Sequence, residues 1–163
     1  MVILGIDPGL ATLGYGVIRV EKSRQKMVDY GVITTPAKTP LPVRLRMIYQ
    51  GVCQLCETYK PDGVALEELF FNTNTTTAIA VAQARGAALT ALACYTENLY
   101  EYTPLQVKQA VVGYGRAEKH QVQMMVRTLL SLKEIPKPDD AADALAIAIC
   151  YAHSCRADRL YKI

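Results

Sequence analysis

The sequence has no tryptophan, only two phenylalanines (Phe70 and Phe71) and only two histidines (His120 and His153) among 163 residues. Two separated histidines leave no imidazole cluster for zinc. Five cysteines, Cys53, Cys56, Cys94, Cys150 and Cys155, are an odd number in a chain long enough to need no disulfide staples. Cys53 and Cys56 form a C-x-x-C, but no second Cys or His pair stands at zinc spacing. The pair also falls inside an amphipathic stretch, so ordinary reduced thiols are expected. An uncharged apolar run of the roughly 18 residues needed to cross a bilayer is also missing. The opening Met1-Val2-Ile3-Leu4-Gly5-Ile6-Asp7 lacks a basic segment and meets an acid at once, which argues against a signal peptide and for the cytoplasm.

Charge of one dominant sign is lacking as well. Lys plus Arg number 18 against 15 Asp plus Glu, a net charge of +3, which excludes a histone-like polybasic binder but not a local basic face. Hydrophobic residues make up 51% and charged residues 20%, a balance that excludes a disordered chain. The length fits one domain, assigned to residues 1–155, with a short charged tail at 156–163 that is expected to fray.

Periodicity then supplies the elements. Met1 to Ile6, Leu13 to Val20 and Lys26 to Thr34 read as three strands with short links, an antiparallel meander. Leu41, Leu45, Ile48, Val52, Leu55 and Tyr59 recur at steps of four and three, a helical stripe ended by Lys60-Pro61-Asp62. Val64 to Leu66 is a strand, an Ala-rich helix covers 76–97, and Leu99 to Thr103 is a fifth strand. Thr103-Pro104 reads as an N-cap with proline at the first helical position. Helices are predicted over 104–112, 119–131 and 139–154. The order implies an α/β fold, one mixed sheet flanked by helices.

The informative acids close strands or share a helix face. Asp7 ends the first strand before Pro8-Gly9, and Glu67-Glu68 end the strand after the first helix. The first strand and that strand are expected to lie side by side, which would bring Asp7 next to Glu67. Asp140 and Asp143, three apart, project from one face of a helix. Taken singly, an Asp before Pro-Gly is commonly a turn residue, and Asp140 could cap its helix or face solvent. Taken together, carboxylates without clustered His or Cys make a hard oxygen site suited to Mg²⁺ or Mn²⁺. Two such ions, roughly 4 Å apart, would clamp an in-line phosphoryl transfer.

At this point the chain resembles a known family. Ile3-Leu4-Gly5-Ile6-Asp7-Pro8-Gly9 followed by Gly14-Tyr15-Gly16-Val17-Ile18 is similar to the opening of the RuvC family of Holliday-junction resolvases. Further segments match in order: Ala65-Leu66-Glu67-Glu68-Leu69-Phe70-Phe71, Gln83-Ala84-Arg85-Gly86, Gln106-Val107-Lys108-Gln109, Val111-Val112-Gly113, Ala117-Glu118-Lys119 and Asp139 through Ala148. The resemblance spans residues 1–152. It implies an RNase H-like fold, a five-stranded mixed β-sheet flanked by α-helices, and a homodimeric Mg²⁺-dependent endodeoxyribonuclease. The substrate it implies is the four-way DNA junction of recombination and repair, nicked symmetrically to leave 5′-phosphate and 3′-hydroxyl ends, beside the RuvA–RuvB branch-migration machinery.

Carried over by residue, the metal-binding and catalytic acids are Asp7, Glu67, Asp140 and Asp143, holding two Mg²⁺ per subunit for which Mn²⁺ could substitute. Glu68 is read as supporting rather than ligating. Lys108 and Lys119 match basic positions near the DNA backbone, with Lys119 also placed to neutralise transition-state charge. Phe70 and Phe71 follow the acidic strand end, and an exposed aromatic there could stack on bases at an opened crossover, a role the resemblance gives to Phe70. The alternative is that both are core. Asn74, in the polar stretch Asn72 to Thr77, and Arg116 complete the DNA-contact candidates. The resemblance leaves Arg116 variable, and Leu13 stands where the family often has Thr.

The Ala-rich helix resembles the family's dimer-contact element, although burial inside one subunit is an equally ordinary fate for it. Three other readings differ in class. A junction binder without cleavage is opposed by the intact acid set. An actin-like phosphotransferase needs two such domains, and 163 residues are too few. An RNA-directed nuclease of the same fold shares the metal chemistry and stays open. Setting the four acids apart leaves 11 against 18 basic side chains, so the modest net charge averages a basic surface with an acidic site.

Overall fold

The computed structural model describes residues 1–22, 24–69, 75–154 and 162–163, with the side chains of 75–77 left aside. Strands β1 (Val2–Asp7), β2 (Thr12–Glu21) and β3 (Arg24–Thr34) form the expected antiparallel meander. Helix α1 (Leu41–Tyr59) leads to β4 (Gly63–Glu67), and α2 (Thr75–Tyr95) leads to β5 (Leu99–Tyr102). Helices α3 (Pro104–Val112), α4 (Lys119–Leu129) and α5 (Asp139–Ser154) complete the chain order. The sheet order is β3-β2-β1-β4-β5, with β4 parallel to both β1 and β5. The predicted side-by-side placement of the first strand and the strand after α1 is therefore observed.

The sheet has a core on each face, and strand alternation assigns side chains to them. Leu4 and Ile6 of β1, with Val64 and Leu66 of β4, pack with Ile48, Val52, Ala88 and Leu92 of α1 and α2. Ile3 and Ala65 turn the other way, to Leu145, Ala148 and Ile149 of α5 and to Val107, Val122 and Val126 of α3 and α4. Thr103 caps α3 as the sequence indicates. Its hydroxyl accepts from the Gln106 amide nitrogen at 3.2 Å, while the Gln106 side-chain oxygen accepts from Thr103 N at 2.7 Å.

Helix α5 lies directly on the strands because β1 and β2 carry glycine beneath it. A Cβ at Gly14 would collide with the carbonyl of Asp140, and one at Gly5 with the carbonyl of Ala144. Gly14→Ala is therefore expected to destabilise the protein by about 3 kcal/mol or more, read from the denaturant midpoint. Gly86 on α2 has nothing within 4 Å of the same position, so Gly86→Ala should stabilise by about 0.5–1 kcal/mol. Equal midpoints for the two variants would contradict this packing.

Two helices end earlier than the sequence predicts: α2, expected to reach 97, ends at Tyr95. The helix predicted to reach 131 ends at Leu129, where Ser131 takes a left-handed φ of 53° and Leu132 N returns to Arg127 O at 2.9 Å. Of the charged tail, Lys162 and Ile163 are the described residues, and both meet β5. Lys162 pairs with Tyr100, and Ile163 N donates to Leu99 O at 3.0 Å. The open backbone edge of β5 accounts for this, since unpaired strand groups recruit any chain segment within reach. Arg156 to Tyr161 lie outside the described residues.

Cys53, Cys56, Cys94 and Cys150 are free thiols; burial pushes Cys56 up to about 11 and Cys150 to about 12. Arg85 of α2 is ion-paired with Glu101 of β5. The stretch Ala78–Tyr95 is long and apolar enough to cross a membrane by length and composition, and only 22% of it is buried in the protein. Its charged residue, Arg85, is tied to the sheet, and Ala84, Ala88, Ala91 and Leu92 pack on it. Its outer face carries the 64%-exposed Ile79.

Candidate active site

Alternation along the two central parallel strands decides which acids face α5. In β1, Ile3 and Gly5 point toward α5, so Asp7, at the same parity, does too. In β4, Ala65 has that parity, and Glu67 follows it while Glu68 falls outside the strand. The register Gly5↔Ala65 and Ile6↔Leu66 then brings Asp7 and Glu67 together one step on, at the carboxyl ends of both strands.

Helix α5 delivers the other acids. Asp7 is paired in register with Gly14, and the Asp140 backbone sits on Gly14, so the first turn of α5 begins over Asp7. Asp139 and Asp140 occupy that first turn, where the helix dipole favours negative charge, and Asp143 follows on the same side as Asp140. Helix α4 holds this turn from the side. Lys119 Nζ lies 2.9 Å from Asp143 Oδ2 and 3.4 Å from Asp139 Oδ2, and Gln123 Nε2 donates to Asp139 Oδ1 at 3.1 Å. Lys119 and Gln123 are four residues apart and Asp139 and Asp143 likewise, so one helical face grips another. Asp139 and Gln123 escaped the sequence reading. The matching four-residue spacings were visible, but the contact between the two helices was not.

The electrostatics show a strongly negative centre. Burial, and then the charges of Glu67, Asp143 and Asp140, raise Asp7 to about 7, against a smaller opposing pull from Lys119. Glu67 is raised by burial and by Asp143, with Lys108 and Lys119 lowering it. Asp143 is raised chiefly by burial, although the Lys119 hydrogen bond works the other way. Burial disfavours the Lys119 ammonium, but the hydrogen bond and charge of Asp143 outweigh this and raise its pKa. Among the described residues, Lys119 is the one cation in ion-pair contact with this acid group.

Two cavities flank the carboxylates. One, of about 210 Å³, is lined by Glu67, Asp143, Lys108 and Lys119 over a floor of Pro104, Val107, Val122 and Ala146. The other, of about 220 Å³, runs from Asp7 and Glu67 past Glu68 to Val81 of α2. Glu68 thus stays beside the site, exposed, with its backbone nitrogen donating to Tyr102 O at 2.9 Å. Lys108 and Lys119 reach the same cavity as the acids; Arg116 is exposed and lines neither cavity. Phe70, Phe71 and Asn74 lie outside the described residues.

The donor set suits a hard divalent cation: carboxylate oxygens alone, no thiol or imidazole among them, and more negative charge than one lysine neutralises. Among the described residues no three of these groups close into a cage as they stand. Asp7, Glu67, Asp140 and Asp143 are the residues that would hold the ion.

Residues 3–151 match the family profile described as crossover junction endodeoxyribonuclease RuvC. The chain belongs to the RuvC family. The RuvC protein of Alkaliphilus metalliredigens is 58% identical over 163 residues, all of this chain and 99% of that one. The solved structure of Thermus thermophilus RuvC matches with a TM-score of 0.89 at 40% identity, covering 96% of each chain. The same Thermus protein in complex with a Holliday junction substrate matches with a TM-score of 0.91, again at 40% identity and 96% of each chain. The five-stranded mixed sheet with helices on both faces is therefore an RNase H-like fold, as the sequence resemblance implies.

Proposed function

We propose that this protein is a magnesium-dependent endodeoxyribonuclease that resolves four-way DNA junctions by paired, symmetric nicks in recombination and repair. The observation that carries this reading is an acid group with more negative charge than its one paired lysine neutralises. Asp7 is raised to about 7 by burial and by three neighbouring carboxylates, a charge arrangement that becomes favourable when cations bind it. Membership of the RuvC family and the likeness to a junction-bound relative support the choice of substrate.

In this reading Asp7, Glu67, Asp140 and Asp143 hold two Mg²⁺, with Mn²⁺ able to substitute. When bound, the ions supply Lewis acidity and charge neutralisation for attack of water on the scissile phosphorus, leaving 5′-phosphate and 3′-hydroxyl ends. The protein's own groups do the rest. The β1 and β4 ends hold two carboxylates rigidly, and α4 fixes Asp143 through Lys119. The carboxylates repel a DNA phosphate until cations neutralise them. Lys108 and Lys119, in the cavity beside Glu67, bind backbone phosphates, and Lys119 offsets negative charge that grows in the transition state. Phe70 or Phe71, with Asn74 and Arg116, contacts DNA around the crossover.

Symmetric nicking needs two such sites related by a twofold axis, and a homodimer provides them. The outer face of α2, apolar and little buried within the subunit, is the surface we assign to that contact. RuvA and RuvB are the partners that family membership suggests, acting in the cytoplasm. The reading is tested with a labelled four-way junction, a linear duplex and a structured RNA, each with and without Mg²⁺. Paired nicks should appear in the junction alone and only with the ion. Equal cutting of linear duplex, or cutting in the chelator, would refute it.

A further inference from the structure

Between α3 and α4 the chain runs Gly113-Tyr114-Gly115-Arg116-Ala117-Glu118, and this loop is held at both ends. Gly113 ends α3 in the left-handed conformation, φ 82°, with its nitrogen donating to Gln109 O at 2.8 Å. Ala117 is buried and its nitrogen donates to Tyr114 O at 3.2 Å. Glu118 begins α4 in a capping box with Gln121. The loop also folds down on α3, because the space above Gly115 is filled by the Leu105 and Gln109 side chains.

This anchored loop holds its aromatic ring outward. Tyr114 is 57% exposed and Leu105, on the helix beneath, 54% exposed. The two side chains stand on neighbouring backbone, since Leu105 fills the space above Gly115, and an aromatic ring presented on an anchored loop is ready-made contact surface. Its surroundings indicate what it contacts. Lys108 lies one turn along α3 from Leu105, and Lys119 opens α4 directly after the loop. Both line the cavity that contains Glu67 and Asp143. Arg116, two residues from Tyr114, is exposed. Lysine is depleted at the centre of protein–protein contacts, whereas exposed aromatic rings combined with basic side chains on the neighbouring elements are how proteins hold nucleic acid with unstacked bases.

We infer that Tyr114 is a base-stacking residue, covering a nucleobase next to the crossover while Lys108 and Lys119 hold the adjoining phosphates. Bases at the crossover lose a stacking neighbour when the four arms open, and the tyrosine ring replaces it. This rests on the junction-cleaving reading above and adds a second aromatic contact, from the α3–α4 side of the acids.

The test uses the full chain, in chelator, with a four-way junction carrying 2-aminopurine next to the crossover and with a linear duplex. Because Tyr114 is exposed, Tyr114→Ala should fold normally. It should bind the junction about tenfold more weakly and lose the fluorescence change that accompanies binding. Tyr114→Phe should keep both, and duplex affinity should match in all three proteins. If Tyr114→Ala binds and reports like the unsubstituted chain, stacking is overturned and the patch is left as a protein-docking face. Equal weakening on linear duplex would overturn it too. If the unsubstituted chain shows no preference for the junction over duplex, the junction reading itself fails, and that result does not depend on position 114.

Discussion

Asp7→Asn is expected to lower junction cleavage by at least about a thousandfold while leaving junction binding in chelator intact or tighter. Asn keeps the shape of the side chain and removes the charge. The position matters because Asp7 is the acid on which the others converge: Glu67, Asp143 and Asp140 all raise it. On the proposed reading, the remaining carboxylates cannot organise cations at the β1 end without its negative oxygens. Binding should survive because losing a negative charge near a DNA phosphate lowers repulsion, and Lys108 and Lys119 remain. Glu68→Gln is the matched comparison. Glu68 lies beyond the end of β4 and is exposed, so its effect should stay within a few-fold. Single-turnover cleavage of a labelled junction separates the two. Near-normal rates in Asp7→Asn, or equal damage from Glu68→Gln, would remove Asp7 from its assigned role.

Part of this site is legible in the sequence: the adjacency of the first strand and the strand after α1 puts Asp7 beside Glu67, and a helix projects Asp140 and Asp143 together. The preference for Glu67 over Glu68 comes from the family resemblance, because Ile3-Leu4-Gly5-Ile6 and Val64-Ala65-Leu66 are apolar throughout and no alternation in them assigns a face. What was not legible depends on contacts between distant segments. The grip of Lys119 and Gln123 on Asp139 requires α4 to cross the start of α5, and no short-range pattern encodes that crossing. The pairing of Lys162 with Tyr100 was hidden for a related reason: the free edge of β5 is formed by residues more than fifty positions earlier. Tyr114 was passed over among ten tyrosines because exposure, the property that distinguishes it, is a tertiary property.

On the proposed reading, the acid group should also make stability depend on pH and on Mg²⁺. In the metal-free folded protein Asp7 titrates at about 7, against 3.8 for an ordinary aspartate. Between those values the folded state binds more protons than the unfolded state, so stability falls as pH rises from about 4 to 7 and stays low above that. At about 1.4 kcal/mol per pH unit, the upper limit of the loss is about 4 kcal/mol. Glu67 and Asp143 are raised too and act in the same direction. Asp7→Asn removes the largest contribution. In EDTA at pH 8 it should be more stable than the unsubstituted chain by about 2–4 kcal/mol, which raises Tm by about 5–10 °C in a chain of this size. At pH 4 the gap should nearly close. Adding Mg²⁺ at pH 8 should raise Tm of the unsubstituted chain more than that of the variant, because a ligand that binds only the folded state stabilises it by RT ln(1 + [L]/Kd), which is larger for the tighter site. Scanning calorimetry at the two pH values, with and without the ion, measures all three differences. Instead, if stability in EDTA does not change between pH 4 and pH 8, or if Asp7→Asn is the less stable protein at pH 8, the carboxylates are not the repelling, cation-seeking group described above.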